Sequence, residues 1–321
     1  MLHQLTVPSQ AAGQRLDVWL ESVLDGCTRS LISRLIKDGR CVIEPGVSKA
    51  GLFLKGGERV ALEVPELEPM EALPENIPLT ILHEDKHLIA IDKAPGMVVH
   101  PAIGHSRGTL VNALLGRYGS HLPTAEGGTE VWRPGIVHRL DQYTSGVMLV
   151  ARTMAALTFL QDAFKAREVN KRYLALVAGR PRADFLEHAG WLGRHAKDFR
   201  KRTVLPDNAE GAKEAYTSVV VHERRNGYSV VEARPKTGRT HQVRVHLAAL
   251  GHAVLADSTY GRSGTWPLIP IEGRPVLQRQ ALHAWTLDVP HPDGGRLKLQ
   301  SPIPADFVPW ISLGLIPRPT K

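Results

Sequence analysis

One stretch, EVPELEPMEALPENIP at residues 63–78, constrains the chain most, with five Glu, four Pro and no Lys or Arg. Proline bars helix continuation and favours extended backbone, so residues 64–78 are expected to form a stiff, solvated connector. It separates a small leading module, residues 1–63, from a body over residues 79–321. A length of 321 residues accommodates two domains of the usual ~100–200 residues. A hydrophobic content of 43% supplies a buried core and excludes wholesale disorder.

No run approaches the ~20 apolar residues that span a bilayer. The N-terminus lacks the basic, apolar, then small-residue pattern of a secretory signal. Two cysteines, Cys27 and Cys41, make neither a disulfide framework nor a four-thiolate zinc site. A reducing, cytoplasmic compartment without a membrane partner is therefore expected. Forty Lys+Arg against 32 Asp+Glu give a net charge of +8, compatible with a nucleic-acid partner. Many enzymes are as basic, so the distribution of charge matters more than its total.

In the leading module Thr28 or Ser30 is placed to cap a helix over residues 30–38, ended by Gly39. Leu31, Ile32, Leu35 and Ile36 recur at helical spacing as its buried stripe. Arg29, Arg34, Lys37 and Arg40 surround one acid, Asp38, and make a positive face that is either simply solvated or a nucleic-acid contact. Short strand-like pieces follow at residues 40–44, 51–53 and 58–64.

Across the body, strand-like segments fall at residues 79–83, 88–92 and 97–100. Residues 135–152 read as a strand, a polar loop and a second strand. A helix is predicted over 154–167 and a strand over 172–178. A hairpin joins 215–222 to 228–234 across Arg225-Asn226-Gly227. A second helix covers 240–250, closed by Gly251, and a final strand pair covers 282–289 and 296–300. Strands outnumber helices and connect mostly by hairpins, which predicts an α+β body with a mixed, mostly antiparallel sheet and helices packed on it.

The run His138-Arg139-Leu140-Asp141-Gln142-Tyr143-Thr144-Ser145-Gly146 carries the chemical signal. A hydrophobic strand delivers a lone carboxylate into a polar, glycine-ended loop beside an arginine. Asp141 either does chemistry at the end of a rigid element or caps a turn through its own side chain. The 15 histidines invite a metal, but His83/His87, His100/His105 and His241/His246 offer no three or four convergent ligands. No metal site is expected. A kinase-like His-Arg-x-Asp is rejected too, since the Gly-rich loop, strand lysine and Asp-Phe-Gly are absent.

His-Arg-Leu-Asp-x-x-Thr-Ser-Gly resembles the signature of the RluA-type pseudouridine synthases. Lys171-Arg172-Tyr173-Leu174-Ala175-Leu176-Val177 resembles that family's second motif, and Thr237-Gly238-Arg239-Thr240-His241-Gln242-Val243-Arg244-Val245-His246 its third. Leu250-Gly251-His252, Asp257-x-x-Tyr260-Gly261, Arg279-Gln280-Ala281-Leu282-His283-Ala284 and Ser301-Pro302-Ile303-Pro304 continue the likeness in family order. Gln142-Tyr143 departs from the more usual Lys-Asp. The leading module resembles the S4 RNA-binding module over about 50 residues, with Glu44-Pro45-Gly46 where an Asn-Gly turn is usual.

The resemblance implies a pseudouridine synthase-type catalytic domain behind a small α+β S4-like RNA-binding domain. It implies isomerisation of uridine to pseudouridine with no cofactor, because nothing is oxidised and no group enters or leaves. It places Asp141 as the catalytic carboxylate and Arg244 as its guanidinium partner, with Arg239, in the same motif, as the alternative. Tyr173 would stack on the extruded base, and Arg139 would fill the vacated space or contact the flipped nucleotide. Arg29, Arg34, Lys37 and Arg40 would contact RNA from the S4-like module. The basic run Arg194–Arg202 (Lys197, Arg200 and Lys201 among its cations) would meet phosphates or remain a solvated loop. The expected partner is large-subunit ribosomal RNA or ribosomal precursor particles, bound by a monomer. A tRNA-modifying enzyme and a non-catalytic S4-type assembly protein are the alternatives.

Overall fold

Residues 1–24, 27, 29–64, 72–101, 106–124, 133–198, 200–261 and 274–312 are described by the computed structural model, and the chain divides into two units, Met1–Met70 and Glu71–Lys321. In the first unit β1 (Leu2–Thr6), α1 (Leu16–Val23), α2 (Arg29–Lys37), β2 (Cys41–Glu44) and β3 (Arg59–Glu63) form two helices and an antiparallel sheet of order β1-β3-β2. Leu16, Trp19 and Leu20 of α1 pack with Ile32, Leu35 and Ile36 of α2 against Val60 and Leu62 of β3. The apolar stripe predicted for α2 is thus its core face. Arg29 opens this helix, its backbone N–H donating to Glu21 Oε1 at 3.0 Å, so Ser30, one of the two expected caps, lies inside the helix, and the other, Thr28, lies outside the described residues. Gly39 ends it at φ +75°, a conformation that glycine adopts without strain. The strand expected at 51–53 is reduced to a single bridge, Phe53 with Arg15.

The second unit contains β4 (Thr80–Glu84), β5 (Leu88–Lys93), α3 (Leu110–Tyr118), β6 (Ser145–Ala151), α4 (Met154–Lys165), β7 (Asn170–Ala178), β8 (Phe185–Arg194) and β9 (Arg202–Leu205). It continues through β10 (Lys213–Arg224), β11 (Tyr228–Pro235), α5 (Gln242–Ala249), β12 (Leu282–Pro290) and β13 (Arg296–Gln300). Its sheet runs β4-β5-β6-β12-β7-β11-β10-β8-β9, with β13 paired to β12. Among the described residues only β6 and β12 pair in parallel, so the sheet is mixed and mostly antiparallel, as expected.

Every residue of β6 is buried because the strand has helices on both faces. Met148 and Val150 face the cluster that holds Leu110, Leu114 and Leu115 of α3. Val147, Leu149 and Ala151 face Ala156, Leu157 and Leu160 of α4. At the strand's start Gly146, at φ +114°, lies so near β12 that an added Cβ would stand 2.1 Å from the Ala284 carbonyl oxygen. Only glycine fits there, which accounts physically for the last letter of Thr-Ser-Gly.

Three expectations are corrected. Residues 135–139 are not a ladder strand: only Ile136 bridges Val150, and His138 Nε2 accepts the Leu149 N–H at 2.9 Å in place of a backbone carbonyl. Residues 97–100 form no strand; the Val98 and Val99 carbonyls instead accept the N–H groups of Leu110 and Val111, the first residues of α3. Helix α3 and strands β1, β8 and β9 went unpredicted. Residues 72–78, described together with Val64 from the expected solvated connector, pack on α3: Glu75 N–H donates to the Asn112 carbonyl at 3.0 Å, and Asn112 Nδ2 donates to the Leu73 carbonyl at 2.8 Å. Residues 65–71 lie outside the described residues.

Candidate active site

Asp141 ends the extended segment that passes along β6 and begins a tight turn closed by Thr144 N–H on its own carbonyl at 3.0 Å. Four neighbours pin that turn. Lys93 Nζ and Gly96 N–H donate to the Gln142 carbonyl at 3.0 and 2.9 Å. Arg279 Nη1 donates to the Tyr143 carbonyl at 3.1 Å, and Gln280 Nε2 to Thr144 Oγ1 at 2.9 Å. The Lys93 ammonium also donates to the carbonyls of Ala94 and Met97, and burial with the nearby Arg279 lowers its pKa to about 7. The polar turn is therefore rigid, held from β5 and from the approach to β12.

Arg244, in the first turn of α5, carries a guanidinium that serves two carboxylates. Its Nε and Nη2 donate to Asp257 at 2.7 and 2.8 Å, and its Nη1 donates to Asp141 Oδ2 at 3.0 Å. Asp257 is further satisfied by the N–H groups of Thr259 and Tyr260 at 2.9 and 3.1 Å. Burial opposes its charge, yet Arg244 and these donors hold its pKa below the ordinary value. Burial likewise opposes the charge on Arg244, and the two carboxylates outweigh it, raising the guanidinium pKa. The turn after Asp257 requires glycine: a Cβ on Gly261 would meet the Asp257 carbonyl oxygen at 2.5 Å.

These groups border a cleft of about 330 Å³, near the lower end of the ~300–1,000 Å³ of ligand pockets. Its walls combine Asp141, Arg139, Tyr173, Arg239, His241 and Arg244 with apolar Leu140, Phe164 and Val243. Tyr173, on β7, packs against the cores on both of its sides; burial, and then the Asp141 charge, raise its hydroxyl pKa. Lys171 donates to the Thr237 carbonyl at 2.9 Å, with its pKa lowered to about 8 by burial and by Arg239. A carboxylate, a buried cation and an aromatic ring thus share one partly enclosed space. Such an arrangement suits a planar, mostly apolar ligand that undergoes acid–base or nucleophilic chemistry.

A second cavity of about 360 Å³ adjoins this one, lined by Arg194, Arg202, Lys213 and Arg239, and the two share the wall Gly238–Thr240. The basic run Arg194–Arg202 is the tip of the β8–β9 hairpin, where Arg200 pairs with Asp198 at 3.1 Å. Phe199 lies outside the described residues.

Asp141, Arg139, Tyr173, Arg239 and Arg244 all border the cleft, but in unequal positions. Asp141, Tyr173 and Arg244 meet, although Asp141 and Arg244 are 103 residues apart. Arg239, the alternative partner for Asp141, instead donates through Nε to the Glu214 carbonyl at 3.0 Å, because it precedes α5 and lies at the rim. Arg139 is exposed at the mouth. In the first unit Arg29, Arg34, Lys37 and Arg40 are all exposed. Three are near acids: Arg29 reaches Asp17 at 2.9 Å, Arg34 lies 4.0 Å from Asp38, and Arg40 is 3.4 Å from Glu63. Lys93, His241, Asp257 and Tyr260 were given no role from sequence. The last three stand inside the quoted motifs, which was the available signal; Lys93 lies one residue past the predicted strand 88–92, where nothing marked it.

The sequence pattern of the family described as RNA pseudouridylate synthase matches residues 87–249, which include Asp141, Tyr173 and Arg244. The chain belongs to that family, in its RluA type, and is an RNA-modifying isomerase. It is 39% identical to the Ribosomal large subunit pseudouridine synthase D of Xanthomonas campestris pv. campestris, over 95% of this chain and 90% of that protein. It is 37% identical to the protein of the same description from Pseudomonas aeruginosa, over 96% and 94% of the two chains. Among solved structures, Human RNA Pseudouridylate Synthase Domain Containing 1 superposes with a TM-score of 0.55 at 28% identity, covering 72% of this chain and 85% of that one.

Proposed function

We propose that this protein converts specific uridines of large-subunit (23S) ribosomal RNA to pseudouridine, with Asp141 as the catalytic group. The single observation that carries this is the Asp141 carboxylate, held through one oxygen by buried Arg244 and facing Tyr173 across the cleft. The relatives described as ribosomal large subunit synthases, matched over nearly the whole chain, favour that RNA over tRNA.

Pseudouridine formation breaks the N1–C1′ bond, turns the base and joins C5 to the same sugar carbon, with C5 losing its proton to solvent and N1 gaining one. The uridine must first leave its stack, which costs a few kcal/mol. Tyr173 supplies a replacement stacking surface, and Arg139 at the mouth contacts the flipped nucleotide or fills its place. Asp141 then acts as nucleophile or base, with Arg244 fixing the direction of its carboxylate. The isomerisation exchanges no electrons and no groups with a second reactant, so it needs no redox cofactor or donor. Arg239, Arg194, Arg202 and Lys213 around the adjoining cavity contact phosphates, which position RNA without reading its sequence.

Residues 1–63 act as an S4-like RNA-binding domain, presenting Arg29, Arg34, Lys37 and Arg40, ahead of a segment over 64–78 whose residues 72–78 pack on α3 instead of standing in solvent, and a catalytic domain over 79–321. The enzyme works as a cytoplasmic monomer on ribosomal RNA or a precursor particle. Tritium release from 5-³H-uridine-labelled 23S RNA tests the reading. The wild type releases tritium, and Asp141→Asn releases none while binding RNA as before. Release by the variant at the wild-type rate would remove Asp141 from the chemistry, and a wild type active only on tRNA would replace the substrate.

A further inference from the structure

We propose that His241 is a positioning residue for Asp141: it presents an Nε2–H to the carboxylate oxygen that Arg244 leaves open, and Tyr260 dictates that tautomer. This rests on the reading of the cleft as the site of uridine isomerisation.

Tyr260 lies between two partners. Its oxygen accepts the backbone N–H of Arg202 at 2.8 Å and stands 2.8 Å from His241 Nδ1. Among the described residues no other acceptor serves its hydroxyl proton, so the O–H donates to Nδ1. A neutral imidazole that accepts at Nδ1 carries its proton on Nε2. Nε2 faces Asp141 Oδ1 at 4.0 Å, whereas Oδ2 takes the Arg244 Nη1 bond at 3.0 Å. Each carboxylate oxygen therefore has its own cationic or polar neighbour.

A separation of 4.0 Å is not yet a hydrogen bond, and catalytic hydrogen bonds commonly tighten only when the substrate is in place. The backbone holds the ring ready. His241 has φ +59° and ψ +13°, left-handed values that non-glycine residues seldom adopt, at the N-terminus of α5. Such strain persists where surrounding contacts enforce it. Here Gln242 enforces it, its Oε1 accepting Thr237 Oγ1–H and Arg239 N–H at 2.7 and 3.0 Å. Burial lowers the imidazole pKa against the pull of Asp141, in keeping with a neutral ring. The same bonds tie Arg202, the first residue of β9, to the carboxylate, so the root of the basic hairpin shares in setting its direction.

Two measurements test this. In single-turnover tritium release, His241→Asn, which suits left-handed backbone but shortens the arm, lowers the rate roughly 10–100-fold, the scale of a misdirected reacting group. RNA affinity stays unchanged, and His241→Gln, with an N–H on a longer arm, recovers part of the loss. Tyr260→Phe slows the wild type but adds nothing in the His241→Asn background. Equal losses in Asn and Gln variants, or a loss confined to RNA affinity, overturn the proposal. Independently of any substrate, ¹⁵N NMR of the free protein shows His241 protonated at Nε2, and less exclusively so in Tyr260→Phe; a proton on Nδ1 overturns it. A wild type that releases no tritium would count against uridine chemistry in the cleft, while the NMR result would still decide the tautomer.

Discussion

Each unit of the chain contains an ionic triad, and the two have opposite composition. In the first unit one buried acid, Asp17, lies between Arg15 at 3.0 Å and Arg29 at 2.9 Å, whose side chains remain 43% and 47% exposed. In the second unit one buried base, Arg244, lies between Asp257 and Asp141, with side chains 6%, 0% and 19% exposed. The first triad leaves a surplus positive charge on the surface. The second leaves a surplus negative charge, and its open oxygen faces the cleft. In both, burial raises the cost of the central charge and the flanking groups offset it; burial opposes, and the arginines together outweigh it, so that the Asp17 pKa is lowered. The contrast fits the two tasks proposed above: an exposed cation suits attraction of a polyanion, and a fixed, partly exposed carboxylate suits chemistry.

The comparison breaks most visibly at Arg244. Arg244→Gln leaves Asp257 buried without its fork, a change of about 3–5 kcal/mol for a broken buried pair. A large fall in the melting temperature of the body and loss of tritium release are expected. Arg244→Lys keeps the charge but cannot bind Asp257 through two nitrogens and Asp141 through a third. It should regain much of the stability and little of the rate. A Gln variant that melts like the wild type would mean that the triad is far better hydrated than its burial indicates.

Acid provides a second, smaller discrimination. His246 and His283 are buried in the body, and burial holds both at a pKa of about 4, assisted by His188 and Arg279 respectively. Their folded pKa values lie below the unfolded value of ~6.5, so the unfolded chain binds more protons. The stabilisation is complete above pH ~6.5 and drains as pH falls toward 4, by roughly 1 kcal/mol per ring at pH ~5.5. Residues 1–70 contain a single histidine, His3. Calorimetry from pH 7.5 to 5 should therefore show the transition of the body moving down while that of the first unit stays. Two transitions that shift in parallel would contradict the assignment of neutral buried rings.

The two triads also differ in how visible they were before the fold was known. Antiparallel hairpins such as β10–β11, with alternating apolar residues around Arg225-Asn226-Gly227, were legible because their signals are local. So was α2, whose stripe needed only nine residues of spacing. Strand β8 escaped because Phe185–Arg194 alternates only weakly between exposed and half-buried, away from the main core. The stretch at 135–139 was mistaken for a strand because its apolar content serves packing, while a histidine side chain meets the hydrogen-bond need of β6. In the cleft, Asp141, Tyr173 and Arg244 were legible through motif resemblance alone. The supporting roles of Asp257, His241 and Tyr260 depend on contacts across 13 to 58 residues that no local pattern encodes.

The smallest effect concerns the exposed face of α2. Lys37 has no ion-pair partner among the described residues, and Arg34 has only Asp38 at 4.0 Å. Arg29 is committed to Asp17, and Arg40 is near Glu63. Exposed pairs of this kind contribute about 0–1 kcal/mol, so neutralising Lys37 and Arg34 should leave the melting temperature nearly unchanged. If the face meets RNA, each lost phosphate contact reduces the slope of log affinity against log salt by about 0.7–0.9. The double variant Lys37→Gln/Arg34→Gln should therefore bind with a shallower salt dependence and turn over at the wild-type rate once saturated. Arg29→Gln behaves differently, because it also strips a partner from buried Asp17 and so lowers stability as well as slope. An unchanged slope in the double variant would mean that the positive face of α2 is solvated and that RNA affinity resides in the body, around Arg194, Lys213 and Arg239.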